Sequence, residues 1–419
     1  MRMRSVASAA AALGVLAFLA SSGTPLLGQA SRTPPPALVI TATGGKPVDY
    51  KAPRTPWGDP DLQGVWSSDD MENIPMAAFQ GGRGGPGRGG PGRGGAPAGP
   101  ALAPGQPPPL YLSDDAIAAR KAQIDAAAKQ RDTSAESSFR FDYARRFFPQ
   151  TRLIVDPPDG RLPAIKVNQQ ERGMPRGTYG PGPLNSWEDF SLYERCITRG
   201  LAGSILRVIY GNGNRIVQAP GVVVLSYEML PDSHIIYTDG RKHINSRIKQ
   251  YLGDARAHWE GEELVVETTN LTDKTAIGVN GNGVRHSEEM VITERFRRIA
   301  DNVIQYQATY DDPVTYEKPF TVSFPLTPLD GGNLLPYDCH PGNTAISMSL
   351  SAERAEDRAV AADAAKGIVR QRRTVQDDGA GVGAALPAGR GGPGAGRGGR
   401  AGGPPPAPGA ATGENDVEK

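Results

Sequence analysis

The sequence predicts a mainly β fold: an antiparallel meander that closes into a barrel or a strongly curved sheet, with peripheral helices. Three observations predict it. First, apolar and polar residues alternate with a period of two at 152–155, 215–218, 222–229, 234–238, 255–259, 264–270, 289–298, 303–310 and 320–326. Second, the separators are turn sequences: DPPDG, GNGN, TDG, EG, VNGNG, ADN and DDP. Third, no long helical pattern intervenes between Arg215 and Leu326, and short connections join antiparallel neighbours. A meander of about eight strands must hide its edges, and closure does that.

In chain order, Arg2 and Arg4 precede an apolar run at 9–20 and a small-residue exit at Ala30. A charged start, a short apolar core and such an exit predict a secretory signal peptide over 1–30. The run is short for a bilayer span, and no later stretch is long and apolar enough to replace it. A secreted or periplasmic location follows. A linker covers 31–49. Residues 80–109 and 379–408 are Gly/Arg/Pro tracts that bury no core, so they read as a disordered insert and part of a disordered tail over 373–419. What remains, 50–372, is the size of one large domain, and its first block is too short to fold alone. Two helices flank the strands. One covers 113–131, with Asp114 and Asp115 in its first turn and a thin apolar stripe of Ile117, Ile124 and Ala128. The other covers 351–366 and stops at Gly367.

The stretch ARAHWEGEELVVETTN reads as a hairpin turning at Glu260–Gly261. Pairing Trp259 with Leu264 sets Ala257 against Val266 on an apolar face. It sets Arg256 against Glu267 on the other face, with His258 two residues along. That polar set is the candidate catalytic group: His258 as acid or base, Glu267 to orient it, and Arg256 to hold an anionic group. The bland reading is an exposed salt bridge. A second hairpin turns at 300–302. It puts Ile292, Glu294, Phe296, Ile304, Tyr306, Ala308 and Tyr310 on one face. A carboxylate among such neighbours finds an arginine, Arg298 being on the same face, or has a raised pKa. Glu294, Phe296, Tyr306 and Tyr310, joined by His243 and His286, form the candidate ligand-binding set.

The net charge of +1 argues against a nucleic-acid partner. The five histidines show no metal-ligand spacing, so no metal site is expected, and no cofactor is implied. No GK[ST] follows the GNGN loop, and no GxSxG occurs. Cys196 and Cys339, an even pair in an exported chain, predict a disulfide, with two free buried thiols as the alternative.

The stretches PRTPWGDPDLQGVW, RLIVDPPDGRLP, GNGNRIVQAPGVVVLSYEM, YLGDARAHWEGEELVVETTN and DDPVTYEKPF together resemble a family of uncharacterised secreted bacterial proteins. That family carries no activity over to this chain. The Gly64-Val65-Trp66 run is similar to the GxW that opens lipocalin-like barrels. That resemblance implies a tryptophan closing the barrel floor against an arginine from a late strand, Arg295 or Arg297. The leading functional expectation is an exported β-barrel that binds a small-molecule ligand. The alternatives are an exported hydrolase, lyase or isomerase using the His/Glu/Arg group, or a cell-surface scaffold using the Gly/Arg/Pro tracts.

Overall fold

Alternation in sequence becomes alternation in burial. In β3 (Gly213–Ala219), Asn214, Ile216 and Gln218 are buried while Arg215, Val217 and Ala219 are exposed. The computed structural model of the protein describes residues 48–74, 109–129, 146–166, 184–208, 210–278, 284–329 and 331–370. These fall within the first of two units, Met1–Gly381, and the second, Val382–Lys419, lies outside them. The expected signal peptide, nearly all of the linker and of the 80–109 insert, and the expected tail also lie outside the described residues.

The other strands are β1 (Gly64–Ser67), β2 (Ile154–Asp156), β4 (Val222–Tyr227), β5 (Asp232–Tyr237), β6 (Asp254–Glu260), β7 (Glu263–Thr269), β8 (Ala276–Ile277), β9 (Val284–Arg285), β10 (Val291–Ala300), β11 (Val303–Asp311) and β12 (Phe320–Pro328). Nine of them form a closed barrel in the order β1-β3-β4-β5-β6-β7-β10-β11-β12, sealed where β12 pairs with β1. β2 adds to β12 outside the ring, and β8 pairs with β9 as a separate ribbon. Closure removes the free edges that a sheet of this size would otherwise expose.

One joint departs from the expected antiparallel meander. β5 and β6 run parallel, held by the pairs Ile236↔Ala255 and Tyr237↔Arg256. The segment 238–253 makes this possible by carrying the chain back along the barrel wall before β6 begins. It is fastened where it lands: Gln250 donates to the Asn270 carbonyl, and Gly253 packs against β7. A Cβ on Gly253 would sit 2.5 Å from the Thr269 carbonyl oxygen, and the residue has φ +71°, so only glycine fits.

The barrel interior is mostly apolar. Ile216, Leu225, Ile236, Val266, Phe296, Phe324 and Leu326 belong to one buried cluster. Towards one end, Trp66 lies across the interior. Its indole N–H donates to the Leu62 carbonyl at 3.0 Å, and Arg298 lies over its ring, 5.5 Å from the centroid. The arginine is therefore Arg298, neither Arg295 nor Arg297. The pleat explains the correction: Arg298 shares a face with Glu294 and Phe296, whereas Arg295 and Arg297 point to the opposite face.

Helices are peripheral. α1 (Asp114–Lys129) is mostly exposed, as its thin stripe predicts. α2 (Leu201–Ser204) is one buried turn, and Leu201, Ala202, Ile205 and Leu206 join the barrel core. α3 (Ala345–Ala364) begins earlier in the chain than the alanine-rich pattern predicts. Cys196 and Cys339 form a disulfide, with Cα atoms 5.6 Å apart across a sequence separation of 143. It ties the segment before α2 to the segment before α3.

Candidate functional site

The β10–β11 register places Ile292 opposite Tyr310, Glu294 opposite Ala308 and Phe296 opposite Tyr306. All face the interior. The Tyr306 hydroxyl donates to Glu294 Oε1 at 2.8 Å, and Glu294 is 1% exposed. The expected ion pair with Arg298 is not made, because Arg298 donates to the Asp61 and Asp301 carbonyls instead. Burial without a cation pushes the Glu294 carboxyl up to about 7, against the lowering effect of the Tyr306 bond.

The opposite wall completes the group. Registers across β1, β3, β4 and β5 put Asn214 and Tyr227 on the same inner face as Trp66, and put His234 opposite Leu225. Thr268 of β7 lies opposite Ile292. Asn214 Oδ1, the Tyr227 and Tyr310 hydroxyls, both His234 ring nitrogens, Thr268 Oγ1 and Glu294 Oε2 all lack a hydrogen-bond partner in the protein. A folded chain rarely leaves buried polar atoms unsatisfied, since each costs about 1–3 kcal/mol. Here they come from six strands and lie on the inner face of the barrel. Burial holds His234 down to about 4, so its ring is neutral near pH 7. Burial, then the Glu294 charge, raises the Tyr227 and Tyr310 hydroxyls, which stay protonated.

A set of polar side chains leads from Tyr227 to the surface. Arg199, 1% exposed, donates to the Ser204 and Leu206 carbonyls and interacts electrostatically with Tyr193, Tyr337 and Tyr227. Its burial lowers it to about 10. Tyr337 stacks with Tyr210 at 6.4 Å and hydrogen-bonds Tyr193. Beyond Tyr337 is an open cleft of about 250 Å³, walled by the disulfide, by Ile197, Leu230 and Pro231, and by Asp338 to Pro341. The turn that supplies Leu230 and Pro231 follows β4, whose last residue is Tyr227.

The polar face of the opening hairpin lies on the outer wall. The register is the expected one, Arg256↔Glu267 and His258↔Val265. The side chains, however, choose other partners. Arg256 pairs with Asp254 at 2.9 Å and donates to the Lys242 carbonyl. His258 faces solvent and pairs with Glu260 at 3.1 Å. Glu267 meets His243 instead: His243 Nε2 is 3.2 Å from Glu267 Oε1, and Nδ1 is 2.8 Å from Asp254 Oδ2. Burial alone would lower His243, but the bonds to Glu267 and Asp254 and their charges raise it overall. Both ring nitrogens are thus engaged by carboxylates of the wall. The cluster fastens the 238–253 segment to the wall. His286, 1% exposed, is bound to Thr275 Oγ1 at 2.9 Å and to the Ser287 carbonyl, apart from the interior group.

Of the nine residues singled out from sequence, Glu294, Phe296, Tyr306 and Tyr310 converge in the interior. Arg256, Glu267 and His243 converge on the outer wall, and His258 and His286 join neither set. The sequence reading missed Tyr227, His234, Asn214 and Thr268. Alternation in β4 and β5 carries the signal: Tyr227 is in phase with Val223 and Leu225, and His234 with Ile236. Among the described residues, no group of three or more His, Cys, Asp or Glu is arranged to hold a metal ion. No helix among them is long and apolar enough to cross a membrane. No protein-family model matches the chain, and neither does any curated protein or solved structure.

Proposed function

We propose that this protein is an exported small-molecule-binding β-barrel, with its site in the interior at Glu294, Tyr227, Tyr310 and His234. One observation carries the reading: buried polar atoms without protein partners, on six strands, lie on the inner face of the barrel. A ligand that hydrogen-bonds to them recovers what the fold leaves unsatisfied. The cleft beside the disulfide is the entrance, and Arg199 with its tyrosines lines the way in. The interior is well filled, so the ligand is small and enters as the α2 segment shifts. Export is supported by the charged start and apolar run at the N-terminus and by the disulfide.

The test is native mass spectrometry of the oxidised protein taken from its own compartment, beside the Tyr310→Phe variant. The reading expects a small-molecule adduct on the parent chain whose occupancy falls in the variant. Equal occupancy in both, or a bare chain in both across ligand-rich extracts, would overturn it.

A further inference from the structure

Glu294 gives the interior a charge requirement. Its only hydrogen bond comes from Tyr306, and no arginine, lysine or histidine enters its electrostatic surroundings. Arg298, on the same face of β10, and the buried Arg199 are committed elsewhere. Arg298 is held by the Asp61 and Asp301 carbonyls and by Trp66, and Arg199 is held by the Ser204 and Leu206 carbonyls. A buried carboxylate without a cation is costly, so it either keeps its proton or receives a cation from outside.

The neighbouring atoms select among cations. The Tyr227 and Tyr310 hydroxyls sit close enough to Glu294 to feel its charge, and Tyr227 also feels Tyr310. Both hydroxyl oxygens are unpartnered, as is Glu294 Oε2. Three oxygens, one of them able to be anionic, therefore share one region. Aromatic rings line the same inner face: Tyr306, which bonds Glu294, has its ring 5.0 Å from those of both Phe296 and Phe324, and the Tyr310 ring lies 5.0 Å from that of Phe320. Ring faces favour a cation and offer it no competing hydrogen bond.

Resting on the interior site proposed above, we infer that the ligand carries a primary ammonium group, received by Glu294 Oε2 and the hydroxyl oxygens of Tyr227 and Tyr310. An alkylammonium offers three donors and one positive charge, which matches three oxygens and one carboxylate. A quaternary ammonium has the charge without the donors. An alcohol has a donor without the charge, and a carboxylate ligand would set a second negative charge beside Glu294. Since Glu294 holds its proton up to about pH 7, the bound cation displaces that proton, and binding strengthens as pH rises from 6 to 8.

The experiment titrates the oxidised mature chain with n-butylammonium, tetramethylammonium, n-butanol and n-butyrate by calorimetry at pH 6 and pH 8. n-Butylammonium should bind about tenfold or more tighter than each of the others, and more tightly at pH 8 than at pH 6. Glu294→Gln should erase the preference for charge. Tyr310→Phe, which keeps the ring and the packing, should weaken n-butylammonium about five- to tenfold. If n-butanol binds as tightly as n-butylammonium while Tyr310→Phe still weakens both, the ammonium inference falls and the interior site stands. If no probe binds, or binding ignores both substitutions, the interior site falls with it.

Discussion

The Arg298 guanidinium lies over the Trp66 indole, 5.5 Å from the ring centroid, and joins a residue of β10 to one of β1 across the barrel interior. Both are pinned from behind, Trp66 by the Leu62 carbonyl and Arg298 by those of Asp61 and Asp301. Trp66→Ala should cost about 3–5 kcal/mol in urea unfolding, the usual range for emptying a buried tryptophan site. Arg298→Met keeps the stem and loses the charge, and should cost about 1–2 kcal/mol. The double variant should fall short of the sum by about 1 kcal/mol. Strict additivity would show that the two do not interact.

Glu294 and His234 should oppose each other in the pH dependence of stability. Glu294 is raised from 4.5 to about 7. Its contribution is fully present below pH 4.5 and is lost as pH rises through 7. His234 is lowered from 6.5 to about 4. Its contribution is fully present above pH 6.5 and is lost as pH falls through 4. Each is worth about 3 kcal/mol, and over roughly pH 4.5–6.5 they cancel. Glu294→Gln should therefore make stability rise with pH across that window, and His234→Leu should make it fall. Urea midpoints at pH 4.5 and 6.5 for both variants decide it. Parallel slopes in the two variants would contradict the assignment.

The Cys196–Cys339 bond closes a loop across a sequence separation of 143. In the chain-entropy account a loop of that size is worth about 5 kcal/mol. Cys196→Ser with Cys339→Ser should lose up to that amount. It should also raise amide exchange first between Cys196 and Leu206, the segment that the bond ties down next to α2. Unchanged exchange in that segment, with the barrel strands destabilised instead, would relocate the role of the bond.

His243 and His258 should respond differently to removal. His258 pairs with Glu260 at the surface, and His258→Ala should shift stability by less than about 0.5 kcal/mol. His243→Ala leaves Asp254 and Glu267 facing each other beneath the 238–253 segment. It should cost about 1–3 kcal/mol and increase proteolytic cleavage within 238–253. Equal effects from the two would remove the fastening role assigned to His243.

Much of this barrel was legible in the sequence because strand pattern is local. The hairpin pairs Trp259↔Leu264 and Phe296↔Tyr306 follow from a period of two and a turn position, and both are formed. Strand direction is not local: alternation reads the same forwards and backwards, so the parallel β5–β6 joint left no mark. Side-chain choice was also beyond reach. Arg256 stands opposite Glu267 as expected, but Asp254 two residues away and His243 from a loop compete for both. Half of the interior group was found, on β10 and β11, where the apolar face is long. Tyr227 and His234 sit near the ends of short strands, where turn sequences blur the phase.

A ring whose members alternate up and down can close only on an even count. With nine members, direction must repeat somewhere, and β5–β6 is where it does. Parity thus makes this barrel a band with one splice, and the splice spans only two residue pairs, as few as the β1–β12 seal. The 238–253 segment, fastened by His243 to Asp254 and Glu267, is the patch laid over the splice.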